Sequence, residues 1–137
     1  MDLYNTLRKT KILIIDDDEW IRDSLCLFFE NEGCQLSALE TAEEAVGLPE
    51  LKSFGIIIVD YRLPGMDGLT FLKHIHKSCG NIIKILITAY NTDEIISSAK
   101  ALDVGDIINK PFTAEALERS LSRLLVKQPS EWPGMNA

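Results

Sequence analysis

Short runs of aliphatic, mostly β-branched residues recur along this chain and alternate with stretches of helical periodicity. The runs, of which the second is the weakest, are Ile12 to Ile15, Leu36 to Leu39, Ile56 to Val59, Ile82 to Ile87 and Ile107 to Ile108. Strands that alternate with helices are joined by crossover connections, so this order predicts one parallel α/β sheet of five strands. A length of 137 residues accommodates one such domain and leaves no room for a second.

A run of four acids follows the first predicted strand. Asp16, Asp17, Asp18 and Glu19 come directly after aliphatic residues that are typical of a strand buried on both faces. Because four adjacent negative charges repel one another, we expect a positive group or a cation beside them. We assign Asp18 and Glu19 to the solvated start of a helix, where acids complement the helix dipole.

The charge and cysteine content narrow the classes of partner. A net charge of -7 disfavours a nucleic acid or an anionic membrane as the main partner, because both need clustered Lys and Arg. The longest apolar runs are too short to cross a bilayer. Three cysteines without a C-x-x-C pair suggest neither a disulfide framework nor a zinc site, so a cytoplasmic location is expected.

Polar side chains stand at the ends of four predicted strands. Asp16 and Asp17 follow the first strand, Asp60 ends the third, Thr88 ends the fourth and Lys110 follows the fifth. The carboxyl ends of parallel strands meet at one edge of a sheet, where ligands bind in open α/β folds. Three carboxylates, a hydroxyl and an ammonium are therefore expected to converge there.

These groups suit metal binding and phosphoryl chemistry. Asp17 and Asp60 provide the hard oxygen ligands that Mg²⁺ prefers. A carboxylate can attack a phosphoryl group and form an acyl phosphate when a metal, a lysine and a hydroxyl neutralise the transferring oxygens. Asp60 is the natural nucleophile, because it stands alone at its strand end.

The region from Lys11 to about Lys127 resembles a response-regulator receiver domain of two-component signal transduction. The motifs that carry the resemblance are D-D after the first strand, D-x-x-L-P-G-M-D-G after the third, T-A after the fourth and K-P-F after the fifth. The resemblance implies a flavodoxin-like, doubly wound (βα)5 parallel sheet of strand order 2-1-3-4-5. It also implies a phosphoacceptor that does not turn over a separate substrate.

The resemblance implies roles for the residues at the strand ends. Asp60 would accept a phosphoryl group from a sensor histidine kinase or a phosphotransfer protein. Mg²⁺ would be bound by Asp17, Asp60 and the backbone carbonyl of Arg62, while Asp16 would act through a metal-bound water.

Further roles follow from the same resemblance. Lys110 would contact the phosphoryl group or Asp60, and Pro111 after it is a candidate for a cis peptide bond. Thr88, followed by Ala89, would hydrogen-bond the phosphoryl group and draw its loop inward.

The output is expected on the surface of the fourth helix, the fifth strand and the fifth helix, where helices are counted from the one that follows the first strand. A downstream effector or a second copy of the chain would bind there. The family commonly has an aromatic switch residue where this chain has Ile107, and a glycine where it has Asp103. A β-branched isoleucine has few rotamers, so we expect Tyr90 to couple Thr88 to the output surface instead.

The expected boundaries are an N-terminal arm over residues 1–10, the receiver domain over 11–127, and a tail or linker start over 128–137. Two alternatives remain open. One is a small Mg²⁺-dependent phosphohydrolase of the haloacid dehalogenase type, because Asp16-x-Asp18 imitates its nucleophile loop, although Trp20 stands where a threonine is usual. The other is a receiver-like interaction module that is not phosphorylated.

Overall fold

The structure, a computed structural model, describes residues 3–126. Five parallel strands form one sheet in the order β2-β1-β3-β4-β5. The strands are β1 (Lys11–Ile15), β2 (Gln35–Leu39), β3 (Ile56–Asp60), β4 (Ile83–Thr88) and β5 (Asp106–Asn109). The predicted fold and strand order are confirmed, with small shifts at the strand ends.

Helices cover both faces of the sheet. They are α1 (Leu3–Leu7), α2 (Glu19–Asn31), α3 (Ala42–Val46), α4 (Gly68–Ile75), α5 (Asp93–Ala101) and α6 (Ala114–Val126), with a short 3-10 turn at Leu51–Ser53. Helix α1 precedes the sheet, so α5 and α6 are the fourth and fifth helices when counting starts from the helix that follows β1. Within residues 3–126, no helix is long and apolar enough to span a membrane.

Strand β1 shows why an unbroken aliphatic run was required. Successive side chains of a strand point to opposite faces. Ile12 and Ile14 pack in the cluster that includes residues of α1, α2 and α6, whereas Leu13 and Ile15 pack in the cluster with α3, α4 and α5. All four are fully buried. Each such burial contributes about 1.5–3 kcal/mol, and together they place the end of β1 deep in the molecule.

The loops at the carboxyl edge are closed by helix caps. The Asp18 carboxylate accepts hydrogen bonds from the backbone N–H groups of Trp20 and Ile21 at the start of α2. Asp67 caps α4 in the same way through Thr70 N, and Thr92 caps α5. These caps define where each strand-end loop stops and the next helix begins.

Helix α1 occupies the region that the sequence analysis described as an arm. Its Leu7 is fully buried in the same cluster as Phe29, Leu117 and Leu121. The Tyr4 hydroxyl donates a hydrogen bond to the Glu118 carboxylate on α6. The short helix is therefore part of the folded domain and anchors the chain to α6.

Candidate functional site

The carboxyl edge of the sheet brings three acids together. Asp60 is the last residue of β3 and Asp16 follows β1 directly, and these residues are 4% and 0% exposed. Asp17, next in the chain, is exposed. Carboxylate oxygens of the three lie within 4.8 Å of one another. The convergence expected from the strand ends is thus present in the structure.

Lys110 follows β5 and reaches into this cluster. Its Nζ donates a hydrogen bond to Asp60 Oδ2 at 2.9 Å and lies 3.1 Å from Asp16 Oδ2. The second contact is an ion pair without hydrogen-bond geometry, and Asp16 Oδ2 has no hydrogen-bond donor among residues 3–126. The peptide bond between Lys110 and Pro111 is cis.

The surroundings of Asp60 and Lys110 shift the pKa values of both side chains. Burial raises the pKa of the Asp60 carboxyl above its ordinary value; the hydrogen bond from Lys110 opposes that rise, and the charge of Asp16 adds to it. Burial also lowers the pKa of Lys110, but its contacts with Asp60 and Asp16 outweigh burial, so the net shift of the Lys110 pKa is upward. The contacts of Lys110 therefore favour its charged form, while this one ammonium does not fully offset the effects of burial and of Asp16 on the pKa of Asp60.

The donor set fits a divalent cation. Three carboxylates and one ammonium leave two negative charges unbalanced when all are ionised. Asp16 Oδ2 is buried, and its contact within the described part of the chain is the ion pair with Lys110, which lacks hydrogen-bond geometry. A buried carboxylate needs more than one such contact to offset its desolvation, and Mg²⁺ prefers carboxylate oxygens. Asp16, Asp17 and Asp60 are the side chains that would hold such an ion.

Two contacts of Asp16 were not foreseen in the sequence. Asp16 Oδ1 accepts a hydrogen bond from the backbone N–H of Asp18 at 3.0 Å. Arg22, on the first turns of α2, donates through Nη1 to the Asp16 carbonyl oxygen at 2.9 Å. A single arginine near the start of a helix gives no distinctive signal in the sequence. The first contact orients the Asp16 side chain, and the second holds its backbone carbonyl.

Thr88 ends β4, next to Asp60 in the sheet, and is 1% exposed. Its hydroxyl accepts a hydrogen bond from Tyr90 N at 2.8 Å and lies 3.2 Å from Tyr90 O, to which it can donate. In this arrangement the Thr88 hydroxyl is engaged with its own loop. Ala89, between the two residues, is exposed at the mouth of the site.

Arg62 and Tyr90 meet across the two loops. Arg62 Nη1 donates to Tyr90 Oη at 2.9 Å, and the guanidinium carbon lies 5.2 Å from the centre of the tyrosine ring. The sequence analysis assigned a role to the Arg62 carbonyl and to Tyr90, but did not predict that the two side chains touch. The available signal was their matched position, since each stands two residues after a site residue on neighbouring strands.

The surface around β5 holds the residues expected to carry the output. Ile107 is 8% exposed and packs in the core, whereas Tyr90 is 50% exposed. At the start of β5, the buried Asp106 accepts hydrogen bonds from Ser120 and Arg123 of α6 at 2.6 and 2.8 Å. These bonds join β5 to α6, so the two elements form one surface.

Comparison with known proteins agrees with this geometry. The sequence model of the family described as "Response regulator receiver domain" matches residues 12–122. Sporulation initiation phosphotransferase F from Bacillus subtilis is 30% identical over 115 residues, which is 84% of this chain and 93% of that protein. The C4-dicarboxylate transport transcriptional regulatory protein DctD from Pseudomonas aeruginosa is 30% identical over 118 residues, which is 85% of this chain but only 25% of that protein.

Solved structures give the same result. A response regulator receiver domain protein described as CheY-like, from Methanospirillum hungatei, superimposes with a TM-score of 0.77 at 30% identity. The match covers 85% of this chain and 93% of that one. A five-stranded parallel sheet with an acid cluster and a lysine at its carboxyl edge defines a phosphoacceptor class of signalling domain. This chain belongs to the response regulator receiver domain family.

Proposed function

We propose that Asp60 accepts a phosphoryl group from a histidine of a sensor kinase or of a phosphotransfer protein, in a reaction that requires Mg²⁺. The observation that carries the proposal is the Lys110 ammonium, 2.9 Å from Asp60 Oδ2 and 3.1 Å from Asp16 Oδ2. It is the arrangement that a carboxylate nucleophile needs, with positive charge beside the oxygen that will carry the phosphoryl group.

The proposed phosphoryl transfer forms one bond to phosphorus and breaks another. A carboxylate oxygen of Asp60 attacks the phosphorus, the bond from phosphorus to the donor imidazole nitrogen breaks, and its electron pair stays on the imidazole, which then takes up a proton. The product is an acyl phosphate on Asp60. Lys110 offsets the added negative charge, and Thr88 donates a hydrogen bond to a phosphoryl oxygen once its hydroxyl leaves Tyr90. Asp16, Asp17 and Asp60 would hold Mg²⁺, which would neutralise charge on the transferring oxygens.

The surface beside Lys110 suits a protein donor. A cleft of about 540 Å³ lies there, lined in part by Trp20, Ile21, Phe28 and Phe112. The Trp20 side chain is 78% exposed. An exposed aromatic side chain next to a reactive residue is typical of protein interfaces, so a donor that buries Trp20 would gain binding energy as it presents its histidine.

The signal is proposed to leave through α5, β5 and α6, to an effector protein or to a second copy of the chain. The bonds from Ser120 and Arg123 to Asp106 support this, because they couple β5 rigidly to α6. The net charge of -7 favours a protein over a nucleic acid as the partner of this domain. Two-component signalling of this kind places the domain in the cytoplasm.

The rival phosphohydrolase would need Asp18 as a proton donor. Its carboxylate instead accepts hydrogen bonds from Trp20 N and Ile21 N, which holds it at the start of α2. Both hydrogen bonds tie this carboxylate to the backbone of α2, so it is poorly placed to donate a proton to a leaving group. The geometry therefore favours a phosphoacceptor.

Incubation with acetyl phosphate, in Mg²⁺ or in EDTA, distinguishes the two functions. A receiver should gain one phosphoryl group per chain in Mg²⁺ and none in EDTA, as measured by intact mass. It should not release p-nitrophenol continuously from p-nitrophenyl phosphate. Sustained release at a rate that scales with enzyme concentration would contradict the proposal and support the phosphohydrolase.

A further inference from the structure

The loop between β3 and α4, residues 61–67, carries backbone groups that act on the site. The Arg62 N–H helps to oppose the rise that burial causes in the pKa of the Asp60 carboxyl. The carbonyl of the same residue is the backbone ligand expected for Mg²⁺. The loop is closed at its base, where Gly68 N donates to Tyr61 O at 2.8 Å. The position of the Arg62 backbone therefore depends on how the rest of the loop is held.

Glu43, in the first turn of α3, holds this loop from outside. Its Oε2 accepts a hydrogen bond from Met66 N at 2.8 Å. The approach depends on Gly65, because a Cβ there would overlap Glu43 Oε2. Gly65 also has a φ of +74°, in the left-handed region that favours glycine. The turn at Gly65 and Met66 is thus shaped to receive a carboxylate from α3.

Helix α3 gives Glu43 a fixed support. Thr41 and Glu44 form a capping box, in which Glu44 N donates to Thr41 Oγ1 and Thr41 N donates to Glu44 Oε1, both at 3.1 Å. Ala42 and Ala45 are fully buried in the cluster that contains residues of α4. Two adjacent acids of one helical turn therefore have different partners, since Glu44 closes the helix and Glu43 reaches the loop.

We propose that Glu43 is a positioning residue for the phosphorylation of Asp60. Its bond to Met66 holds the loop so that the Arg62 backbone lies beside the Asp60 carboxylate and the Arg62 carbonyl can reach the cation. Glu43 lies outside the acid cluster and acts only through the loop. The inference rests on the proposed Mg²⁺-dependent phosphorylation, but it adds a residue that this chemistry does not itself require.

The test compares Glu43→Ala with Glu43→Gln, whose side-chain carbonyl can still accept the bond from Met66 N. Labelling with acetyl phosphate is followed by intact mass over a range of Mg²⁺ concentrations. Amide NMR spectra during an Mg²⁺ titration measure binding without phosphorylation. We expect Glu43→Ala to weaken Mg²⁺ binding and to slow labelling, each by about two- to tenfold, the range that one hydrogen bond contributes. Glu43→Gln should stay close to wild type.

Glu44→Ala and Glu40→Ala are the matched controls. Glu44→Ala breaks the capping box and lowers the stability of the fold, but it leaves the bond to Met66 in place. Glu40→Ala removes an exposed acid just before α3. Both controls should bind Mg²⁺ and become labelled as wild type does. In EDTA, hydrogen exchange of the Met66 amide should be faster in Glu43→Ala and slow again in Glu43→Gln.

The positioning role is overturned if Glu43→Ala keeps the Mg²⁺ affinity and labelling rate of wild type, even with faster exchange at Met66. It is also overturned if Glu43→Gln or either control is as impaired as Glu43→Ala, because the effect would then come from charge or from α3 as a whole. If wild type takes no phosphoryl group, the proposed function itself fails. If wild type is labelled at Asp60 and Glu43→Ala matches it, the positioning role alone fails.

Discussion

Asp17 and Asp18 are adjacent in the sequence, yet the structure gives them different surroundings. Asp17 stands with Asp16 and Asp60 in the acid cluster. Asp18 turns away and caps α2 through Trp20 N and Ile21 N. A one-residue change of register along the acidic run therefore separates a candidate metal ligand from a helix cap.

We expect Asp17→Asn to weaken Mg²⁺ binding strongly and Asp18→Asn to leave it nearly unchanged. An asparagine removes a charged ligand in the first case but still serves as an N-cap in the second. Trp20 fluorescence during Mg²⁺ titration reports binding, with Trp132→Phe, which lies outside the described residues, to remove the second indole. Equal weakening by both variants would show that the register assigned to the acids is wrong.

At the level of single residues, the sequence predicted which groups assemble but not how they bond. The positions of Asp16, Asp60, Thr88 and Lys110 follow from strand ends, because parallel strands finish at one edge. The contact between Arg62 and Tyr90 depends on side-chain rotamers, which strand order does not specify.

Among the elements, α4 begins in direct contact with the end of β3. Gly68, the first residue of α4, leaves no space for a side chain, since a Cβ there would overlap the Asp60 carbonyl oxygen and lie only 3.0 Å from Tyr61 Cα. The contacted atoms belong to the backbone at the end of the nucleophile's own strand. A larger residue at Gly68 must therefore displace Asp60 or the helix.

We expect Gly68→Ala to destabilise the fold by about 1–3 kcal/mol and to slow the phosphorylation of Asp60. Gly47→Ala is the matched control, because a Cβ there meets its nearest atoms at 3.6 and 3.7 Å, which is ordinary contact. Chemical denaturation and the labelling rate with acetyl phosphate measure the two effects. Normal stability and labelling in Gly68→Ala would contradict the close packing of α4 on β3.

Strand β4 contains a buried cation that the proposed chemistry does not use. Lys84 is 1% exposed and forms no ion pair within residues 3–126. Burial lowers its pKa, although the charges of Cys79 and Asp103 oppose this. Below its folded-state pKa the ammonium is charged in both the folded and unfolded states, so its burial cost is then fully present.

We expect Lys84→Met to raise the free energy of unfolding at neutral pH by on the order of 1 kcal/mol. At pH values between the lowered pKa of Lys84 and the ordinary lysine value, the unfolded state of the native protein binds more protons than the folded state. The native protein therefore gains stability as pH rises through that window, and the advantage of the variant shrinks. Urea denaturation of both proteins at neutral and at alkaline pH measures this difference. A variant that is less stable at neutral pH would contradict a costly buried charge.

For the whole molecule, the parallel sheet and its order could be predicted because strong aliphatic runs alternate with helices. Strand β2 gave the weakest signal, and the structure shows why: it lies at the sheet edge and its five residues, Gln35–Leu39, are exposed or only partly buried. Helix α1 was missed because five residues are too short for a clear helical period. Leu3 and Leu7 carry its apolar face, but only packing against α6 gives the segment a fixed place.

The chain spans only a quarter of the length of the Pseudomonas aeruginosa relative but 93% of the Bacillus subtilis one. Receiver domains thus occur in proteins of very different size. For this chain, the proposed phosphoacceptor is a single carboxylate, that of Asp60 at the end of β3.

The most direct test compares Asp60→Asn with Asp67→Asn after incubation with acetyl phosphate and Mg²⁺. Both substitutions replace one carboxylate by an amide, and an asparagine in place of Asp67 can still cap α4. Intact mass should show one added phosphoryl group on wild type and on Asp67→Asn, and none on Asp60→Asn. Stoichiometric labelling of Asp60→Asn would contradict the assignment of the phosphoacceptor.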